Sequence, residues 1–192
     1  MKQKVRTFVA VDIGSAARGR AAELIEALSA AGADAKWVDP QNLHVTLKFL
    51  GDVDTREIHH VCRAVQDAVA DVAPFEFELR GAGAFPGASR PRTVWLGVAR
   101  GEEQLVALNQ RIEPPLEKLG FRKEARRYQP HLTIGRIRRG GPGVLELGTL
   151  IGHHADFEAG PTAVSEVIVF SSQLDRSGPT YEPLARAPLA GK

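Results

Sequence analysis

Apolar positions change their spacing along the chain, and each change marks an element. Residues 5–13 are dense in β-branched and aromatic side chains and predict a strand. Residues 16–31 set Leu24, Ile25 and Leu28 on one stripe and predict a helix ended by Gly32. After Trp37-Val38 and a turn at Pro40, residues 43–50 alternate as a strand, and Asp54 or Thr55 stands where a helix through about residue 72 needs a cap. Pro74 opens an extended stretch over residues 75–79, followed by a glycine-rich segment at 81–87 and a strand at 93–98. The second half replays this order. Residues 102–119 have helical spacing and stop at Gly120, an arginine-rich loop follows, and residues 131–137 alternate again. Residues 144–151 predict a short helix or turn, 163–171 one strongly β run, and 180–185 a last strand. Several strand pairs lack a helical crossover, so the expected class is α+β with mainly antiparallel sheets.

One pattern occurs twice. His44-Val45-Thr46-Leu47 and His131-Leu132-Thr133-Ile134 share the order His-apolar-Thr-apolar, 87 residues apart in a chain of 192. That spacing suggests two related lobes within a single domain over residues 1–192. Alternate side chains of a strand share a face, so each His and Thr would point one way while Val45, Leu47, Leu132 and Ile134 anchor the strand in the core. Strict alternation puts Phe49 and Arg136 on the opposite face, unless a bulge re-aims the strand end.

Imidazole titrates nearer neutrality than any other side chain, so two of them on one phosphate can act together as general acid and general base. In-line displacement at phosphorus takes a proton from the entering oxygen and gives one to the leaving oxygen on the opposite side. Two threonine hydroxyls can donate to the non-bridging oxygens, where charge accumulates, with no need of a metal. A solitary His-x-Thr in a strand is commonly structural. The second copy at half-chain spacing makes a paired site of His44, His131, Thr46 and Thr133 the stronger reading.

At these residues the chain resembles the two-histidine (2H) phosphoesterase superfamily, and within it the RNA 2′,3′-cyclic phosphodiesterases, also described as 2′-5′ RNA ligases. The resemblance extends over nearly the whole chain. Arg6-Thr7-Phe8-Val9-Ala10 is similar to the family's opening strand, and Trp37-Val38 with Asn42-Leu43-His44-Val45-Thr46-Leu47-Lys48-Phe49-Leu50-Gly51 to its first motif. Pro130-His131-Leu132-Thr133-Ile134-Gly135-Arg136 is similar to its second motif. Between them, Ala84-Phe85-Pro86 and Arg90-Pro91-Arg92-Thr93-Val94-Trp95-Leu96-Gly97-Val98 resemble its central hairpin. One departure is Asp12-Ile13-Gly14-Ser15, which lacks the proline that relatives often carry after the first strand; it bears on that turn and not on the cleft. The resemblance implies a bilobal fold of pseudo-two-fold related lobes flanked by helices around a central cleft, His44 as proton donor, His131 as proton acceptor, phosphate contacts from Thr46 and Thr133, and base or ribose contacts from Phe49 and Arg136. It implies hydrolysis of RNA or nucleoside 2′,3′-cyclic phosphate ends to a 2′-phosphate, without cofactor or metal. Two alternatives stand beside it: 2′-5′ RNA ligation by the same site run backwards, and noncatalytic binding of nucleotides or single-stranded RNA. Abundant water favours hydrolysis unless the cleft grips a second RNA end, and a mere binder needs no acid–base pair.

Bulk properties narrow the class without choosing a substrate. Hydrophobic residues at 43% and charged residues at 25% are ordinary for globular proteins, and the longest apolar runs are too short to cross a bilayer. Asp12 interrupts the first apolar stretch, so the basic start does not read as a secretory signal, and the lone Cys62 forms no internal disulfide. The expectation is a cytoplasmic monomer. A net charge of +2 does not call for duplex binding, yet Arg90, Arg92, Arg122, Lys123, Arg126, Arg127, Arg136, Arg138 and Arg139 form local clusters that could draw a phosphate-bearing RNA end. No metal site is expected, because His59-His60 and His153-His154 are adjacent pairs without His-x-x-x-His spacing or a neighbouring cysteine pair. Gly81-Ala82-Gly83 lacks the further glycine and helix of a dinucleotide loop and predicts a bulge or turn.

Overall fold

The computed structural model of the chain describes residues 3–175 and 178–192. Its strands are β1 (Lys4–Asp12), β2 (Ala35–Trp37), β3 (His44–Asp54), β4 (Phe75–Phe85), β5 (Thr93–Arg100), β6 (His131–Ile137), β7 (Glu158–Val164), β8 (Glu166–Asp175) and β9 (Gly178–Pro188). The helices are α1 (Ser15–Ser29), α2 (Ile58–Val69), α3 (Glu102–Lys118) and α4 (Gly143–His153), with a 3₁₀ turn at Pro40–Asn42. Among the described residues the strands form one sheet, ordered β7-β4-β5-β6-β3-β1-β8-β9 with β2 attached to β6. All the pairings are antiparallel, as the missing crossovers implied.

Helical spacing of apolar residues explains how the helices seat. Ala17, Ala21, Leu24 and Leu28 of α1 are fully buried, as are Val61, Val65 and Val69 of α2. Along α3, Leu105, Leu108, Ile112 and Leu116 form the buried stripe, and the helix runs on through Pro114-Pro115 although neither proline has an N–H to donate. Asn109 and Glu113 share that buried face, which is unusual for polar side chains and has a use described below.

The strand order reads alike from both edges. β6 and β3 lie at the centre, β5 and β1 beside them, then β4 and β8, then β7 and β9. The chain order β1-α1-β3-α2 is replayed as β5-α3-β6-α4, but the next strand crosses over. β4, which follows α2, pairs with β5; β8, which comes after α4 and β7, pairs with β1. Each half of the chain therefore lends strands to the other side of the sheet's centre, β4 and β2 from the first half and β8 and β9 from the second.

Three local expectations need correction. The run at 163–171 is not one strand, because the chain leaves β7 at Val164 and enters β8 at Glu166, on opposite sides of the sheet's centre. Apolar burial continues on both sides of that break, so the pattern hides it. Neither Asp54 nor Thr55 caps α2; Glu57 takes that position without a side-chain bond, while the Asp54 carboxylate accepts from the backbone N–H and guanidinium of Arg56. The extended stretch at 75–79 continues as β4 to Phe85, and its register slips between Leu79 and Ala82, a bulge around Gly81.

Candidate active site

The first motif is tied down at several points. Arg18 on α1 donates to the carbonyls of Ile13, Pro40 and Leu43 and pairs with Asp12, joining the β1–α1 turn to the 3₁₀ turn. Asp39 accepts from the Gln41 N–H at 2.9 Å and caps that turn, and Asn42 Nδ2 donates to the Pro179 carbonyl at 2.8 Å. His44 then enters β3 with Nδ1 2.7 Å from the Asn42 carbonyl oxygen. The second motif repeats the arrangement, with His131 Nδ1 2.8 Å from the Gln129 carbonyl oxygen. A carbonyl can only accept, so each Nδ1 carries hydrogen and each Nε2 is left for other chemistry.

β3 and β6 meet at one ladder pair, Val45 with Leu132, both fully buried. Continuing that antiparallel register sets His44 opposite Thr133 and Thr46 opposite His131. Side chains placed so on one face have Cβ atoms roughly 5 Å apart. All four are half-buried, on the face away from Val45 and Leu132. Each histidine is thus set opposite the threonine of the other motif, about a local two-fold through the Val45–Leu132 pair.

Phe49 and Arg136 come round to this same face, against strict alternation. On β3 the pairing with β1 jumps from Thr46 to Lys48, so Leu47 is an extra residue, Lys48 stays buried and Phe49 turns outward. On β6 the pairing with β5 jumps from Thr133 to Gly135, and Arg136 turns outward in the same way. The bulge stands at the same place in both motifs.

Rings line both sides. Phe8 stacks on His44 with centroids 4.8 Å apart, Tyr181 meets the imidazole edge-on at 5.2 Å, and Phe49, 52% exposed, leans on Phe8 at 5.9 Å. Beside His131, Phe85 lies edge-on at 5.1 Å and Trp95 at 6.5 Å. The Trp95 ring covers Gly83, where a Cβ would come within 2.2 Å of it, so glycine is needed there for the approach. Phe8, Phe85 and Trp95 lie in segments that the sequence marks, without a sign that they flank the histidines. Nothing in the sequence marks Asp12, Arg18, Tyr181 or Phe170, whose ring stacks on Phe8 at 5.3 Å, as neighbours of His44.

Burial pushes both imidazoles below the ordinary histidine value, and their neighbours then act unequally. At His44 the Asn42 carbonyl and the Asp12 carboxylate oppose the fall, with Arg18 adding to it. At His131 the Gln129 carbonyl opposes it, and the Arg136 guanidinium lowers the ring further. Among the described residues no three His, Cys, Asp or Glu side chains gather as a metal-binding group.

Residues 17–167 match the model of the 2′-5′ RNA ligase superfamily. The chain belongs to that superfamily. Within it, an RNA 2′,3′-cyclic phosphodiesterase of Methanothermobacter thermautotrophicus is 41% identical over 93% of this chain and 95% of the relative. One of Thermotoga maritima is 34% identical over 97% of each chain. Among superfamily structures, Escherichia coli LigT complexed with 3′-AMP is 25% identical with a TM-score of 0.74, over 97% of this chain and 98% of LigT. A Thermus thermophilus protein shares the fold at a TM-score of 0.82 and 24% identity, over 97% of this chain and 99% of that one.

Proposed function

We propose that this chain hydrolyses 2′,3′-cyclic phosphate ends of RNA or nucleotides to 2′-phosphates, with His44 as general acid and His131 as general base. The observation that carries the reading is the crossed arrangement of two His–Thr pairs about one dyad, each ring held through Nδ1. A phosphate centred there meets an imidazole nitrogen on either side. His131 Nε2 takes the proton of water as the new P–O bond forms; the P–O3′ bond breaks opposite, and His44 Nε2–H protonates the departing oxygen. The hydroxyls of Thr46 and Thr133 donate to the non-bridging oxygens as their charge grows.

The charged neighbours distinguish the two rings. Burial lowers both; at His44 the Asp12 carboxylate favours the charged form that gives a proton, with Arg18 against it, while at His131 the Arg136 guanidinium favours the neutral form that takes one. Phe49 offers a face for the base, and Arg136 a donor for phosphate or ribose. The substrate class is that named for the Methanothermobacter and Thermotoga relatives, and a 3′-AMP-bound LigT agrees with a nucleotide-sized cleft. Residues 1–192 would act as one domain of two lobes, as a monomer in the cytoplasm; among the described residues no helix is long and apolar enough to cross a membrane.

The test is incubation with the four nucleoside 2′,3′-cyclic phosphates and with an oligonucleotide ending in a cyclic phosphate, all in excess chelator. We expect turnover in chelator and a product whose phosphorus resonance is that of a 2′-phosphate. A 3′-phosphate product would mean that the nucleotide binds reversed, and activity only after metal is restored would end the two-histidine mechanism. The superfamily's name makes ligation a second outcome, read by adding a 5′-hydroxyl oligonucleotide and looking for a 2′-5′ joined product.

A further inference from the structure

The two motifs are tied together across a nearly bare seam, since β3 and β6 share a single ladder pair. Behind that seam, on the face away from the histidines, lies a set of polar contacts. Lys48, whose side chain is fully buried, donates from Nζ to Glu113 Oε1 at 2.7 Å and to the Arg122 carbonyl at 3.0 Å. Asn109 Nδ2 donates to the Leu47 carbonyl at 2.9 Å, and the Tyr128 hydroxyl to the Thr46 carbonyl at 2.8 Å. Two of the acceptors are the backbone carbonyls of Thr46 and Leu47, where the bulge departs from regular pairing with β1. Arg122 and Tyr128 bracket the loop that leads from α3 into His131.

We infer that Lys48, Glu113 and Tyr128 are positioning residues that set His44 and His131 in register with each other. Their contacts hold the β3 bulge from behind and fasten to it the segment that delivers the second motif. Stability alone is a poor account of the ion pair. Burying two charges costs about as much as their attraction returns, and Glu113 Oε2 is buried with no hydrogen-bond partner among the described residues. Burial keeps the Tyr128 phenol protonated well beyond neutral pH, so its donation persists wherever the imidazoles work.

The inference rests on the hydrolytic reading above, and its test separates the two. In the double variant Lys48→Met with Glu113→Leu both charges go together, which leaves no unpaired buried ion and is expected to keep the folded state. Tyr128→Phe removes one hydroxyl and no charge. Both should retain a cooperative melt while kcat falls roughly tenfold or more in the double variant and several-fold in Tyr128→Phe, with KM within about twofold, because placement of the reacting groups is what is lost. Histidine C2–H resonances, assigned with His44→Ala and His131→Ala, provide a readout without turnover. Both should shift in both variants. Unchanged kcat and unchanged resonances in a folded double variant would overturn the positioning role. If unaltered protein shows no turnover, the hydrolytic reading fails instead, and the resonances still decide the register claim.

Discussion

The two motif strands share a pattern, a bulge and a histidine tether, yet different things hold the two bulges. On β3 the work falls to side chains: Asn109 of α3 and Tyr128 of the following loop reach in, and Lys48 of β3 itself reaches back to Glu113 of α3. On β6 a piece of strand does it: β2 pairs with Gly135 and Arg136, and the Val38 N–H donates to the Ile134 carbonyl at 2.9 Å. Trp37 then packs against Gly135, where a Cβ would come within 2.6 Å of its ring. One bulge is braced by hydrogen bonds and charge, the other by backbone pairing and close contact. Identical local geometry does not require identical support, and the two braces should fail differently.

The largest effects belong to what the halves share. His44→Ala and His131→Ala should each lower kcat by a factor on the order of 10² to 10⁴, and the double variant should lose little more than either alone, since acid and base act as a unit. Near-normal turnover by either single variant would remove it from the mechanism. Thr46→Val and Thr133→Val come next, with losses of roughly tenfold to a hundredfold. The crossed arrangement predicts nearly equal values, and a gross inequality would show that the phosphate sits off the dyad.

Substitutions at the braces should separate the halves. Gly135→Ala overpacks against Trp37 and should cost about 1–3 kcal/mol in denaturant melts. It should also raise KM by shifting Arg136. Asn109→Ala leaves the Leu47 carbonyl without its donor at a similar cost, about 1–3 kcal/mol. Here kcat should fall instead, through Thr46. Identical kinetic signatures from the two variants would erase the distinction.

The smallest effects lie in the pH profile of kcat. His44 must carry its proton and His131 must lack one, so the profile should be bell-shaped, reporting macroscopic values for the pair. Asp12→Asn removes a charge that keeps the His44 value up, so the alkaline limb should move to lower pH. Arg136→Gln removes a charge that holds the His131 value down, so the acid limb should move to higher pH. Each should narrow the bell from its own side; movement of the opposite limbs would exchange the roles of the two rings.

How much could be read from the chain depends on distance along it. The faces of His44 and Thr46, or of His131 and Thr133, are set within three residues by the two-residue period of a strand, and they were legible. The re-aiming of Phe49 and Arg136 could be raised but not placed, because a bulge is defined against the partner strand, which neither motif contains. Lys48 looks like an ordinary polar position on a strand, and its burial is accounted for by partners far along the chain, Glu113, 65 residues away, and the Arg122 carbonyl. The break at Ser165 is invisible for the opposite reason: the residues on both sides of it are equally suited to strands. Asp12 and Arg18 become neighbours of His44 only once two turns close on each other.

The exchange of strands between lobes gives the molecule an unusual relation to being cut. A nick in the β4–β5 connection, at residues 86–92, would leave a first fragment with β1 to β4 and a second with β5 to β9. Neither could complete a lobe alone, because β4 lies between β5 and β7 of the second fragment and β1 lies between β3 of the first and β8 of the second. Each fragment would keep one histidine and one threonine of the crossed set. Reassembly of the two pieces and recovery of the cleft should therefore be a single event, with catalysis itself reporting that the halves have found each other.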